Sequence, residues 1–123
     1  GIVLEPDGNL IVTEVNGLMR LSPQGEKEWI IENISDNHAT DGIKLDVQGR
    51  IYMAASLDRG VRIVEQGKVI EHYPLPGPGF TTNLCFGGED MRTLFITDGP
   101  GNVWMMRDLP TPGLRLIAWP VPA

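Results

Sequence analysis

The sequence predicts an all-β protein assembled from repeated four-stranded sheets, and three observations carry that prediction. The cadence of GIVLEPDGNLIVTE at the start of the chain returns in DGIKLDVQGRIYMAAS, so that Gly1, Leu4, Gly8, Leu10 and Val12 stand 41 residues before Gly42, Leu45, Gly49, Ile51 and Met53. Self-similarity at a fixed period outranks local propensity as evidence of architecture. Apolar residues also fall two apart, as at Leu10 and Val12 or Val61 and Ile63, and no long window holds a three-four spacing free of Gly or Pro. Finally, Pro6-Asp7-Gly8, Pro23-Gln24-Gly25, Gln48-Gly49 and Gln66-Gly67 punctuate short apolar-rich runs, the pattern of antiparallel strands joined by tight hairpins.

A third copy follows the first two. Thr82, Leu84 and Phe86 keep the offset of 41 from Asp41, Ile43 and Leu45, and a two-residue insertion near Glu89 and Asp90 then aligns Leu94 with Ile51. Each copy continues past a glycine into further alternating runs, GLMRLSPQGEKEWII, GVRIVEQGKVIEHYP and GNVWMMRDLPTPGLRLIAW. Each unit therefore holds about four short strands in ~40 residues, the size of one β-propeller blade. Blade A spans 1–32, blade B 41–74 and blade C 82–120, with NISDNHAT and LPGPGFT as surface crossovers between them.

Length and composition bound the function. The chain has 123 residues and 41% apolar composition, enough for a single domain with a real core. Ten basic residues against sixteen acidic ones give a net charge of -6, which repels phosphate backbones and anionic membranes. Nucleic acid and membrane are therefore not expected partners. No apolar run approaches the ~20 residues that span a bilayer, and no charged leader with an apolar run stands at the N-terminus. The expectation is a cytoplasmic or otherwise soluble chain carrying no export signal. Cys85, flanked by Leu84 and Phe86, reads as a small buried thiol. Trp29, Tyr52, Tyr73, Phe95, Trp104 and Trp119 lie in alternating runs and are expected to pack between blades.

Three blades do not close a propeller, since rings of about four to eight are the rule. Two sheet faces are left open, each an apolar patch that water does not tolerate. The expected solution is half of a six-bladed ring completed by a second copy around a two-fold axis, or by another chain.

The motifs Asp41-Gly42, Thr82-Asn83, Phe86-Gly87-Gly88, Asp90 and Arg92-Thr93-Leu94, in that order, resemble the last two blades of the SMP-30/gluconolactonase/LRE-like family. Blade A, with Pro6-Asp7-Gly8, resembles a central blade of the same family. The resemblance implies a six-bladed propeller with a divalent metal, usually Ca2+, in a central funnel, and hydrolysis of sugar lactones or other lactones. It also implies that Asp41, which holds the place of the family's aspartate, is a metal ligand and the general base. The family's asparagine ligand would fall just before Gly1, and its glutamate ligand has no counterpart in these 123 residues. Thr40 stands where the family usually has proline.

Calcium takes roughly six to eight oxygen ligands, so one aspartate cannot hold it alone. Asp41 opens an innermost strand and is expected to point into the funnel, although an Asp before Gly also suits a turn that caps its own backbone. Thr82 and Asn83 occupy the equivalent place in blade C and are candidates to line a substrate pocket, with a hydrogen-bonded turn as the alternative. His38, just ahead of Thr40, is either a substrate contact at the funnel mouth or a solvent-exposed loop histidine. Two functional classes follow: a metal-dependent lactonase acting on a small lactone or sugar-derived ligand, or a non-catalytic, self-assembling module for binding or scaffolding.

Overall fold

The alternating runs become eleven strands in the computed structural model, which describes residues 1–116, and no helix occurs among them. Blade A contains β1 (Ile2–Leu4), β2 (Leu10–Thr13), β3 (Leu18–Leu21) and β4 (Lys27–Ile31); blade B contains β5 (Ile43–Leu45), β6 (Ile51–Ala54), β7 (Val61–Glu65) and β8 (Lys68–Tyr73). Blade C contains β9 (Thr81–Gly87), β10 (Thr93–Asp98) and β11 (Val103–Met106). Each sheet is an antiparallel meander with strands in chain order. No described element is a helix able to cross a membrane.

The turn residues do what their chemistry predicts. Gly8 and Gly49 occupy equivalent places in the β1–β2 and β5–β6 turns and have φ of +94° and +82°, a region that costs a side chain but not a glycine. Carboxylates close the same turns. Asp46 accepts from the amides of Gln48 and Arg50 and from Arg50 Nε, and Asp7 accepts from the amide of Asn9. The insertion in the third copy lengthens its inner hairpin by one pair, Gly87 with Thr93.

Stacking of the blades builds two cores. Val3, Ile11 and Leu18 of blade A pack on Ile43, Leu45, Ile51, Met53 and Val64 of blade B. Tyr52, Ala54, Val61 and Ile63 of blade B pack on Leu84, Leu94 and Ile96 of blade C and on Leu109. β6 is buried along its whole length because Ile51 and Met53 face one neighbour while Tyr52 and Ala54 face the other. Each fully buried Leu or Ile contributes roughly 1.5–3 kcal/mol, so these two seams hold the three sheets together.

Blade C departs from expectation. Up to Leu116 it has three strands, because the chain leaves β11 and runs beneath the sheets as a strap instead of turning back as a fourth. Leu109 donates to the carbonyl of Arg92, Gly113 to that of Met91, Leu114 to that of Leu45, and Val47 to that of Pro112. Gly113 fits there because the Phe86 ring fills the place of a side chain. The end of the expected blade C, including Trp119, lies outside the described residues.

Other expectations are corrected as well. Cys85 is exposed, not buried, because it sits on the face of blade C that no other blade covers among the described residues, while Leu84 beside it points into the seam. Trp29 and Tyr73 are exposed too, one on blade A and one on the outermost strand of blade B. Tyr52 is buried between blades, meeting Phe86 edge-on with centroids 4.8 Å apart, and Trp104 and Phe95 are half-buried.

Candidate functional site

The first strands of the three sheets, β1, β5 and β9, neighbour one another, and their starts meet at one end of the molecule. Two glycines let them meet there. A side chain on Gly1 would come within 2.5 Å of the carbonyl oxygen of Asp41, and one on Gly42 would strike Asn83, including its Cα at 2.9 Å. The gap left by Gly42 is used for a bond between blades: its amide donates to the carbonyl of Thr82 at 3.1 Å. Asp41 donates its amide to Ala54, and Ala54 donates to Gly42, so the strand pairing extends past β5 and fixes the backbone of Asp41.

The structure therefore brings Asp41, Thr82 and Asn83 to one place. Asp41 is half-buried, and its carboxylate takes no hydrogen bond among the described residues. It is not closing a turn in the manner of Asp46. The Thr82 hydroxyl shares a hydrogen bond of 2.8 Å with that of Thr97, and Asn83 is exposed with its side-chain oxygen accepting from the amide of Leu84. His38 is on the crossover at a φ of +46°, exposed, with its carbonyl accepting from Leu57. No hydrogen bond joins its ring to Asp41, Thr82 or Asn83. Thr40, in contrast, is buried and donates its hydroxyl to the carbonyl of Glu14, tying the crossover to blade A.

The same end carries the carboxylates of Glu14, Asp36, Asp41 and Asp58, and its two guanidiniums are committed to partners other than Asp41. Arg62 pairs with Asp58 at 2.8 Å, and Arg59 donates to the carbonyl of Pro76 and to Asp98. Hydrogen bonds from Ser35 and Asn37, with the nearby Arg62, lower the pKa of Asp58 to about 2. Burial pushes Asp98 up, but bonds from Asn102, Trp104 and Arg59 overcome it and hold its carboxyl below the usual range. Asp98 is thus a committed structural carboxylate, whereas Asp41 is uncommitted.

Oxygen donors of the kind a hard cation takes are present: one carboxylate, a side-chain amide and hydroxyls. They fit in type and fall short in number. Among the described residues no three His, Cys, Asp or Glu side chains converge. The sequence reading passed over Asp46, which closes the turn at the far end of β5, and over Asp98 and Arg59, which hold the start of β9 without belonging to the site. A signal was present for the first two: Asp46, Arg50 and Tyr52 share the spacing of Asp98, Asn102 and Trp104, an acidic residue capping a hairpin turn.

Comparison with known proteins agrees with this architecture. The profile of the SMP-30/Gluconolactonase/LRE-like region matches residues 22–99. A 6-deoxy-6-sulfogluconolactonase from Pseudomonas putida is 39% identical over 64 residues, covering 50% of this chain and 21% of that protein. A structural-genomics target described as a candidate gluconolactonase superposes with a TM-score of 0.74 at 30% identity, over 94% of this chain and 40% of that one. Regucalcin from Agrobacterium tumefaciens, described as a calcium-binding protein, superposes with a TM-score of 0.67 at 30% identity, over 79% of this chain and 36% of that one. The matched stretch spans about a quarter of the length of the curated relatives. With the profile covering well over half of its residues, the chain belongs to the SMP-30/gluconolactonase/LRE-like family.

Proposed function

We propose that this chain supplies half of the funnel of a metal-dependent lactone hydrolase, with Asp41 as metal ligand and proton acceptor. One observation carries the reading: an unpartnered carboxylate stands where three innermost strands converge, at the acidic end of the stack, beside Thr82 and Asn83. The names of the relatives support it, one a lactonase and one a calcium-binding protein. Ca2+ or another divalent cation, when bound, polarises the carbonyl of the lactone.

The chain's own groups divide the remaining work. Asp41 takes the proton of the attacking water, and the water oxygen forms a bond to the carbonyl carbon. The ring C–O bond breaks, and the ring oxygen leaves as an alcohol, taking the proton that Asp41 had accepted from the water. Asn83 and Thr82 orient the ligand by hydrogen bonds, and His38 reaches it only from the rim. Further oxygen ligands come from blades that complete the ring, contributed by a second copy or another chain. The rival reading, a self-assembling binding or scaffold module, is favoured by the small number of converging ligands.

Calcium titration separates the two. Native protein and Asp41→Ala are compared for thermal stability against CaCl2 and for opening of δ-gluconolactone. Stabilisation and hydrolysis in the native protein, both absent in the variant, are the expected result. Equal behaviour of the two proteins would remove Asp41 from the chemistry and leave the scaffold reading.

A further inference from the structure

Lys44 is the one charged side chain on the three first strands; the other residues of β1, β5 and β9 are apolar or neutral. It is half-buried, and no carboxylate comes within ion-pair distance of it among the described residues. Ile43 and Leu45 turn into the seam with blade A. Alternation therefore sends the Lys44 side chain to the other face, the one on which Gly42 meets Asn83.

Backbone bonds on either side place its ammonium. Ala54 donates to the carbonyl of Gly42, so that carbonyl points toward β6, and successive carbonyls of a strand point to opposite sides. Those of Ile43 and Leu45 accordingly point to the open edge of β5, where Leu45 accepts from Leu114 of the strap. Lys44 Nζ donates to the Ile43 carbonyl at 2.9 Å, which holds it at that same edge, between the Gly42–Thr82 bond and the strap. An ammonium has three N–H donors. The other two of Lys44 reach no acceptor among the described residues, and a half-buried charge in that state calls for an anion.

We infer that Lys44 is an anion-binding residue of the funnel, which takes a phosphate, sulfonate or carboxylate group carried by the ligand away from its reacting carbonyl. This rests on the reading that Asp41 meets that carbonyl. Asp41 stands three residues before Lys44, ~10 Å along an extended strand, and carries the opposite charge. Opposite signs at the two places give the ligand a direction: the carboxylates at the Asp41 end turn an anion away, and the ammonium receives it. The substrate class narrows from any lactone to one that bears an anionic substituent.

The test reads binding, in metal-free buffer at constant ionic strength. Native protein, Lys44→Met and Lys44→Arg are titrated with glucose 6-phosphate, glucose and potassium gluconate by calorimetry. Side-chain ammonium NMR signals of the native protein are followed in parallel, this chain contributing Lys27, Lys44 and Lys68. Lys44→Met keeps the apolar stem and removes the charge, Lys44→Gln is a second neutral variant, and near-UV circular dichroism checks that each is folded. Glucose 6-phosphate is expected to move the Lys44 signal saturably while glucose leaves it in place. Affinity should fall about tenfold or more in Lys44→Met and Lys44→Gln and stay within about threefold in Lys44→Arg. The absence of saturable binding overturns the proposal, as does equal affinity in the folded neutral variants. A response to gluconate alone also overturns it, because Lys44 would then hold the carboxylate formed on ring opening. No lactone is opened in these titrations, so a protein that binds glucose 6-phosphate through Lys44 and opens no lactone would sink the chemistry proposed for Asp41 while leaving the anion site intact.

Discussion

The amide of Gly42 donates to the carbonyl of Thr82 at 3.1 Å, joining the starts of two innermost strands across the seam between blades B and C. The bond forms only because Gly42 has no side chain, since a Cβ there would press on the Cα of Asn83 at 2.9 Å and on its side chain. Gly42→Ala is therefore expected to separate Asp41 from Asn83 and to destabilise the protein by roughly 2–3 kcal/mol, as overpacking against backbone does. Urea unfolding checks the first number. Unchanged stability, with amide shifts confined to the substituted residue, would show that the seam yields without cost.

Acid sensitivity is expected to centre on Asp58. Its pKa lies near 2, held there first by hydrogen bonds from Ser35 and Asn37 and then by Arg62. A carboxyl whose pKa is lower folded than unfolded stabilises the fold above its unfolded pKa, here the ordinary 3.8, and loses that contribution as pH falls toward 2. After allowance for solvent screening the contribution is about 1 kcal/mol. Asp58→Asn should lower stability by that amount at pH 7 and flatten its dependence on pH between 3.8 and 2. A parallel shift of the whole curve would mean that another carboxylate, such as Asp98, sets the acid limit.

How much of this was legible follows from what each feature depends on. The sheets were readable because period-two alternation and turn glycines are local, and the repeat fixed their order: Leu45 and Ile51 pair as Leu4 and Leu10 do. Asp41 was readable from its place in the repeat and the family resemblance. Cys85 was misjudged because alternation says that Leu84 and Cys85 face opposite sides, but not that one side lacks a neighbour. The strap from Arg107 to Arg115 was unreadable, since its bonds to Met91, Arg92, Leu45 and Val47 join residues far apart in the chain. Arg59 was hidden for the same reason, its partners Pro76 and Asp98 lying on other elements.

The strap should depend on Phe86. That ring meets Tyr52 edge-on on one side and occupies the space beside Gly113 on the other, coupling blade B, blade C and the strap. Phe86→Ala is expected to cost roughly 2–3 kcal/mol, below the value for a fully buried ring because this one is half-buried. Phe86→Leu should recover most of it. Trypsin provides the local readout: cleavage after Arg107 should accelerate in the alanine variant before the sheets unfold. Cleavage at the native rate would mean that the backbone bonds to Met91 and Arg92 hold the strap unaided.

Arg59 is expected to position Thr82 and Asn83 at a distance. Its guanidinium donates through Nε and Nη2 to the carbonyl of Pro76 and through Nη2 to Asp98, pinning the crossover to blades B and C together. The carbonyl of Ser56 accepts from the amide of Thr81, and the hydroxyl oxygen of Thr81 accepts from the amide of Gly60, so the turn holding Arg59 also grips the start of β9. Arg59→Met leaves Asp98 buried with one donor fewer and should cost roughly 2–3 kcal/mol. Arg59→Lys should restore little, because an ammonium cannot make the forked contact with Pro76 and Asp98. Hydrogen exchange locates the effect: amides of Gly60, Thr81 and Gly99, bonded at this junction, should lose protection in both variants, while those of β1 and β2 keep theirs. Uniform loss over all three blades would instead assign Arg59 to global stability, with no particular hold on the residues beside Asp41.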